Sequence, residues 1–109
     1  MSDPRLKQLK IKTGVVKRLS KEKCSYEKEA DVQRQKVEKL KAEKADEYNL
    51  RKQEEVLQET RAMIPDCLRR LQTALAELKK TLEAETDLSE SEEYKAATVV
   101  VDDAEKEIV

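Results

Sequence analysis

The sequence predicts an all-α fold: an antiparallel three-helix bundle of two long helices, over about 4–41 and 47–82, and a shorter third over about 89–107. Three observations carry this. Charged residues make up 43% of the 109 residues, against about 25% in ordinary domains, yet the apolar residues recur at steps of three and four. The chain has one glycine, Gly14, and two prolines, Pro4 and Pro65; a sandwich or barrel needs turn residues every ~8–12 positions. Leu50, Leu57, Ile64, Leu71 and Leu78 are spaced by seven, which is one seam position of a coiled coil.

Asp3-Pro4 reads as the start of the first helix, with Asp as N-cap and Pro at the first helical position. Leu6, Leu9, Thr13, Val16, Leu19, Lys23, Tyr26, Ala30, Gln33, Val37 and Leu40 then follow one face. At ~1.5 Å per residue this helix exceeds ~50 Å. A second apolar line at Ile11, Val15 and Cys24 widens only its first half. In the second helix, Leu68, Leu75 and Leu82 widen only the C-terminal half; the matching positions toward the N-terminus are Glu54 and Arg61. The third segment opens at Ser89, whose pairing with Glu92 fits a capping box, and continues through Tyr94, Ala97, Val101, Ala104 and Ile108.

These stripe widths fit one arrangement. If the chain folds back at residues 42–46, positions whose numbers add to roughly 90 lie opposite, and the two broad halves meet. A short third helix then covers the same half, since a wide stripe needs two neighbours and a narrow one needs a single partner. The length suits one domain spanning 1–109. Residues 41–47 contain no Gly or Pro and, apart from Asp46, are good helix formers. A continuous helix that dimerises through its heptads is therefore the competing arrangement.

Pro65 removes a backbone donor inside the second helix and predicts a kink near residues 61–65. It serves either to bend the helix around its neighbours or to shape a surface for a partner. Gly14 weakens the first helix by about 1 kcal/mol relative to Ala. A close approach by the third helix would account for it, and so would a partner pressing there. Cys24 and Cys67 form no CxxC pair and read as reduced, small apolar fillers at nearly the same level of the hairpin.

Composition also excludes functions. With no His, an imidazole acid/base or a zinc-hydrolase site is not available. Three aromatic residues, all Tyr, cannot build a stacking platform for single-stranded nucleic acid. There is no glycine-rich phosphate loop, nucleophile elbow or paired metal-ligand motif, so an enzyme is not expected and neither is a cofactor. No apolar run approaches the ~18 residues of a membrane span, and no signal peptide is visible.

Charge is segregated. Residues 1–41 carry 13 Lys+Arg and 6 Asp+Glu, residues 42–82 carry 8 of each, and residues 83–109 carry 2 and 10. The acidic third helix and the basic first helix could simply complement each other within the bundle. The outward lysines Lys10, Lys17, Lys21 and Lys28 could instead steer an acidic partner. The acidic last third and a pI of 5.7 argue against nucleic acid.

Several segments are familiar. Leu9-Lys-Ile-Lys-Thr-Gly-Val-Val-Lys-Arg-Leu19, Tyr26-Glu-Lys-Glu-Ala30, and Val56-Leu-Gln-Glu-Thr-Arg61 running into Met63-Ile-Pro-Asp-Cys-Leu-Arg-Arg-Leu71 resemble the tubulin-binding cofactor A (tubulin-specific chaperone A) family, as does Glu92-Glu-Tyr-Lys-Ala96. The likeness runs in order along nearly the whole chain, and the mid-helix Ile64-Pro65-Asp66-Cys67 is its most specific part. The resemblance implies a cytoplasmic, cytoskeleton-associated three-helix bundle that binds β-tubulin without ATP. Such a protein holds quasi-native β-tubulin after chaperonin release and before assembly with α-tubulin, alongside other tubulin-folding cofactors. Family members are described as monomers or homodimers, so oligomeric state stays open. Exposure and these motifs put the partner surface at Lys10, Lys17, Lys21 and Lys28 on the first helix and Arg61, Asp66, Arg69 and Arg70 around Pro65. The alternative function is a structural coiled coil whose partner is a second copy of itself.

Overall fold

Asp3 caps the first helix. Its Oδ1 accepts the Arg5 N–H at 2.9 Å and its carbonyl accepts the Leu6 N–H at 3.0 Å, satisfying donors that a helix start leaves without intrahelical partners. From there α1 runs Pro4–Ala42, α2 runs Glu47–Ala84 and α3 runs Glu92–Ile108, with one 3-10 turn at Thr86–Leu88. The computed structural model describes residues 3–108, and no strand occurs among them. The fold class is the one the heptads predict.

The turn between α1 and α2 explains how a chain without a loop glycine reverses. The Ala45 N–H donates to the Leu40 carbonyl at 3.0 Å and the Lys44 N–H to the Lys41 carbonyl at 3.2 Å. This is a Schellman ending, and its left-handed residue is Lys44, at φ 54°, where glycine is usual. Asp46 then caps α2: its Oδ1 accepts the Tyr48 N–H at 3.3 Å and its carbonyl accepts the Leu50 N–H at 2.9 Å.

The third helix starts later than its sequence predicts. Ser91, not Ser89, is the cap, with its Oγ accepting the Tyr94 N–H at 3.2 Å. Ser89 instead closes the 3-10 turn, donating its N–H to the Thr86 carbonyl at 3.1 Å. Two Ser residues two apart offer the same capping chemistry, and the intervening turn selects the second.

The described chain forms two compact units. The first takes residues up to Lys21 together with those from Leu68 onward, and the second takes Glu22–Cys67. In the first unit, ten buried apolar residues come from all three helices: Leu9, Val16 and Leu19; Leu71, Leu75, Leu78 and Leu82; and Ala97, Val101 and Ala104. Leu71 and Leu78 have no accessible surface, so truncating either to Ala costs about 2–5 kcal/mol. The α1–α2 pairing is antiparallel, with Lys12 Nζ donating to Thr81 Oγ1 at 2.9 Å. The Tyr94 hydroxyl donates to the Leu82 carbonyl at 2.9 Å, serving an acceptor in the last turn of α2. Ser20 bonds Glu107, and Lys79 meets Glu105 at 3.0 Å.

The second unit uses two helices and a narrow seam. Ala30, Val37 and Leu57 are its buried apolar residues, flanked by Leu50 and Ile64. Lys23 lies in that seam with its stem buried and its ammonium 3.0 Å from Glu27. The Gln33 side-chain amide donates to the backbone carbonyl and the side-chain oxygen of Gln53, at 3.0 and 2.9 Å. Both cysteines lie in this unit as thiols outside any disulfide. Cys67 is buried, with its Sγ 3.9 Å from Glu22 Oε2. α2 continues through Pro65, which is exposed and withholds the donor that would have reached the Arg61 carbonyl.

Two expectations about α1 are corrected. Ile11 is not part of a second buried line: half its surface is exposed (50%), whereas Val15 packs against the core cluster. Gly14 is not there to admit α3: its φ is not positive, and a Cβ built on it meets nothing within 4 Å.

The strained turn yields a test. Replacing Lys44 by Gly removes the left-handed penalty and should raise stability by about 0.5–1 kcal/mol, seen as a higher urea midpoint at unchanged slope. A lower midpoint would mean that Lys44 makes a contribution larger than its backbone cost.

Candidate partner-binding surface

Between Asp3 and Glu22 the sequence has no acidic residue, while it carries Arg5, Lys7, Lys10, Lys12, Lys17, Arg18 and Lys21. The first turns of α1 are therefore basic where the helix dipole favours negative charge. The fold neutralises only part of this. Arg5 forms the hub of a carboxylate cluster: Nη2 lies 2.7 Å from Asp3 Oδ2 and 2.7 Å from Asp87 Oδ2, and Nη1 bonds Glu85. The Arg5 guanidinium holds the Asp3 and Asp87 carboxyls below the ordinary 3.8 through these hydrogen bonds, and its own pKa is raised in return. The cluster ties the start of α1 to the turn after α2.

Lys10, Lys17 and Lys21 are different. They lie along one exposed line of α1 in the first unit, at helical steps of seven and four, and none forms an ion pair or hydrogen bond among the described residues. Lys28, exposed in the second unit, also has no such partner there. Internal complementarity between α1 and the acidic α3 thus does not account for these four lysines.

The helix-2 candidates are less uniform. Arg61 is exposed in the second unit and without an ion-pair partner among the described residues, while Asp66 is half-buried and engaged within the chain. Arg69 and Arg70, in the first unit, are exposed but likewise engaged. The eight predicted residues therefore fall in two groups. The most coherent set is Lys10, Lys17 and Lys21, on one exposed line of α1 in the first unit.

Charge-based reasoning misses the exposed apolar residues. In the second unit Val32 (66% exposed) and Val56 face a shallow surface groove with Lys28, Glu29 and Thr60. In the first unit, Ile11 stands beside the lysine line. The signal was available for Val32 and Val56, which lie off the heptad seam. It was misleading for Ile11, which the stripe pattern assigns to the core.

Among the described residues no group of His, Cys, Asp or Glu could hold a metal ion, and no helix is long and apolar enough to cross a membrane. Apolar seams turned inward and wide charged faces turned outward define the class: a small all-helical protein with a highly charged surface. The family model described as tubulin binding cofactor A matches residues 4–101. Tubulin-specific chaperone A of Rattus norvegicus is 58% identical over 107 residues, covering 98% of this chain and 99% of the relative. Human tubulin chaperone cofactor A superposes with a TM-score of 0.83 at 55% identity, covering 94% of this chain and 99% of that one. Tubulin folding cofactor A of Arabidopsis thaliana superposes with a TM-score of 0.85 at 46% identity, covering 93% and 95%. The chain belongs to the tubulin-binding cofactor A family, which is a family of chaperone cofactors rather than a class of enzymes.

The Arg5 cluster generates a pH prediction. A carboxyl whose pKa is lowered by folding stabilises the fold above its ordinary value, and that contribution disappears as pH falls through the lowered value. Arg5→Ala should therefore lower the thermal midpoint at neutral pH. Its deficit relative to the parent chain should shrink as the pH drops below about 3.8, the ordinary value of Asp3 and Asp87. A deficit independent of pH would assign Arg5 a packing role instead.

Proposed function

We propose that residues 1–109 act as one domain, a cytoplasmic tubulin-folding cofactor that binds quasi-native β-tubulin and holds it between chaperonin release and assembly with α-tubulin. The observation that carries this is the family match over residues 4–101, joined to a line of α1 lysines that have no partner among the described residues and suit an acidic client. Holding is passive. A protein that binds the quasi-native state withdraws it from aggregation by mass action, and no nucleotide is required. Catalysis has no part in this reading, and the protein works as a monomer or homodimer beside other tubulin-folding cofactors, near the cytoskeleton.

Lys10, Lys17, Lys21 and Lys28 supply long-range attraction and orientation. Arg61, Asp66, Arg69 and Arg70 contribute on α2. Exposed charges of this kind act mainly on association rate and specificity, and salt weakens them.

Co-purification from cytosol, with both tubulins quantified on the bead, tests the reading. Enrichment of β- over α-tubulin is expected. Equal amounts would indicate simple charge attraction to the intact heterodimer. Neither tubulin, from a folded protein, would overturn the proposal and leave self-association as the function. Reversing charge at Lys17→Glu and Lys21→Glu should lower β-tubulin capture about tenfold at low salt and much less at high salt, with stability changed by no more than about 0.5 kcal/mol. Unchanged capture with the fold intact would remove the lysines from the interface.

A further inference from the structure

Packing within the fold does not explain Gly14. It is the only glycine in the chain, it sits mid-helix on the exposed side, and it needs no left-handed backbone. A side chain there would meet nothing within 4 Å. Most residues would improve the helix at this position.

What surrounds it is specific. Lys10 lies four residues before Gly14, and Lys17 and Lys21 lie three and seven after, so all three share its face. At ~1.5 Å rise per residue, the lysines extend from roughly 6 Å before the glycine to about 10 Å beyond it. None has a partner among the described residues. The half-exposed Ile11, three residues earlier, provides an apolar contact at the edge. The face is a notch without a Cβ, bracketed by free ammonium groups and bordered by one aliphatic side chain.

We infer that this face of α1, centred on Gly14, is where an acidic helix of the client protein crosses at close range. Absence of the Cβ lets two helix backbones approach more closely than larger side chains allow. Lys10 and Lys17 then reach carboxylates on the turns of the client helix above and below the crossing point. A helix meets these requirements better than an extended tail, because an extended tail would pair with the lysines without needing the notch. The inference takes the client's identity from the proposal above, and its crossing point from Gly14 itself.

The test separates stability from binding. Gly14→Ala and Gly14→Gln fill open space with better helix formers, so both should raise the thermal midpoint of the isolated protein by roughly 4–8 °C. Capture of newly translated, labelled β-tubulin should fall in the same variants, by about tenfold for Gln and less for Ala, because an inserted side chain holds the backbones apart. Thr73→Gln, at an exposed position of α2, should leave capture unchanged. If the Gln variant captures β-tubulin as well as the parent does, the inference falls and the cofactor reading stands. If the parent chain captures none, both fall. A tighter isolated fold with weaker capture is a pair of opposite signs that a structural role for Gly14 cannot produce.

Discussion

Burial of the Leu71–Leu78 seam of α2 is the constraint on which the rest of the first unit depends. Both side chains are fully enclosed, and no single neighbouring helix can enclose a stripe that also includes Leu75 and Leu82. α1 covers one side with Leu9, Val16 and Leu19, and α3 closes the other with Ala97, Val101 and Ala104. The small alanines let α3 lie close, so a helix of 17 residues suffices. In Glu22–Cys67 the stripe narrows to single positions, two of the seam sites become Lys23 and Gln33, and one partner helix is enough. Those polar seam residues contribute little apolar burial. They fix register, since Gln33 finds both of its acceptors only opposite Gln53.

The same economy decides which surface stays available. Two acids of α3 meet the other helices: Glu105 pairs with Lys79 of α2, and Glu107 bonds Ser20 of α1. Glu85 and Asp87, in the turn beyond α2, converge on Arg5. Among the described residues nothing answers the charge of Lys10, Lys17 and Lys21, which lie along an acid-free stretch of helix. Neutralising them would have stabilised the isolated protein only slightly. Leaving them exposed keeps a steering field for an acidic client.

Much of this was legible in the sequence for identifiable reasons. Heptad spacing gave α2 its seam, and every apolar position assigned to the main line of α1 is buried or half-buried. Asp3-Pro4 marked the start of α1 because capping depends on a single side chain. The turn at residues 43–46 was hard to see because Lys44 holds the left-handed position that glycine ordinarily marks. Ser89 and Ser91 could not be ranked without the intervening 3-10 turn. Ile11 belongs to an apolar stripe by spacing, but whether the outermost member of a stripe is covered depends on where α3 lies. The partner surface was legible only in part. Exposure of Lys10, Lys17, Lys21 and Lys28 follows from the helical period, whereas the engagement of Asp66, Arg69 and Arg70 depends on neighbours that spacing does not reveal.

If stripe width governs how many helices each unit recruits, it must also govern how firmly each is held. Residue-resolved amide hydrogen exchange on the intact chain measures this directly. The slowest amides should lie in the α1, α2 and α3 segments around Val16, Leu71, Leu78 and Val101, opening only with global unfolding. Those around Ala30, Val37 and Leu57 should exchange about tenfold or more faster, through opening of the two-helix unit alone. Equal protection across both units, or slower exchange around Val37 and Leu57, would contradict the account.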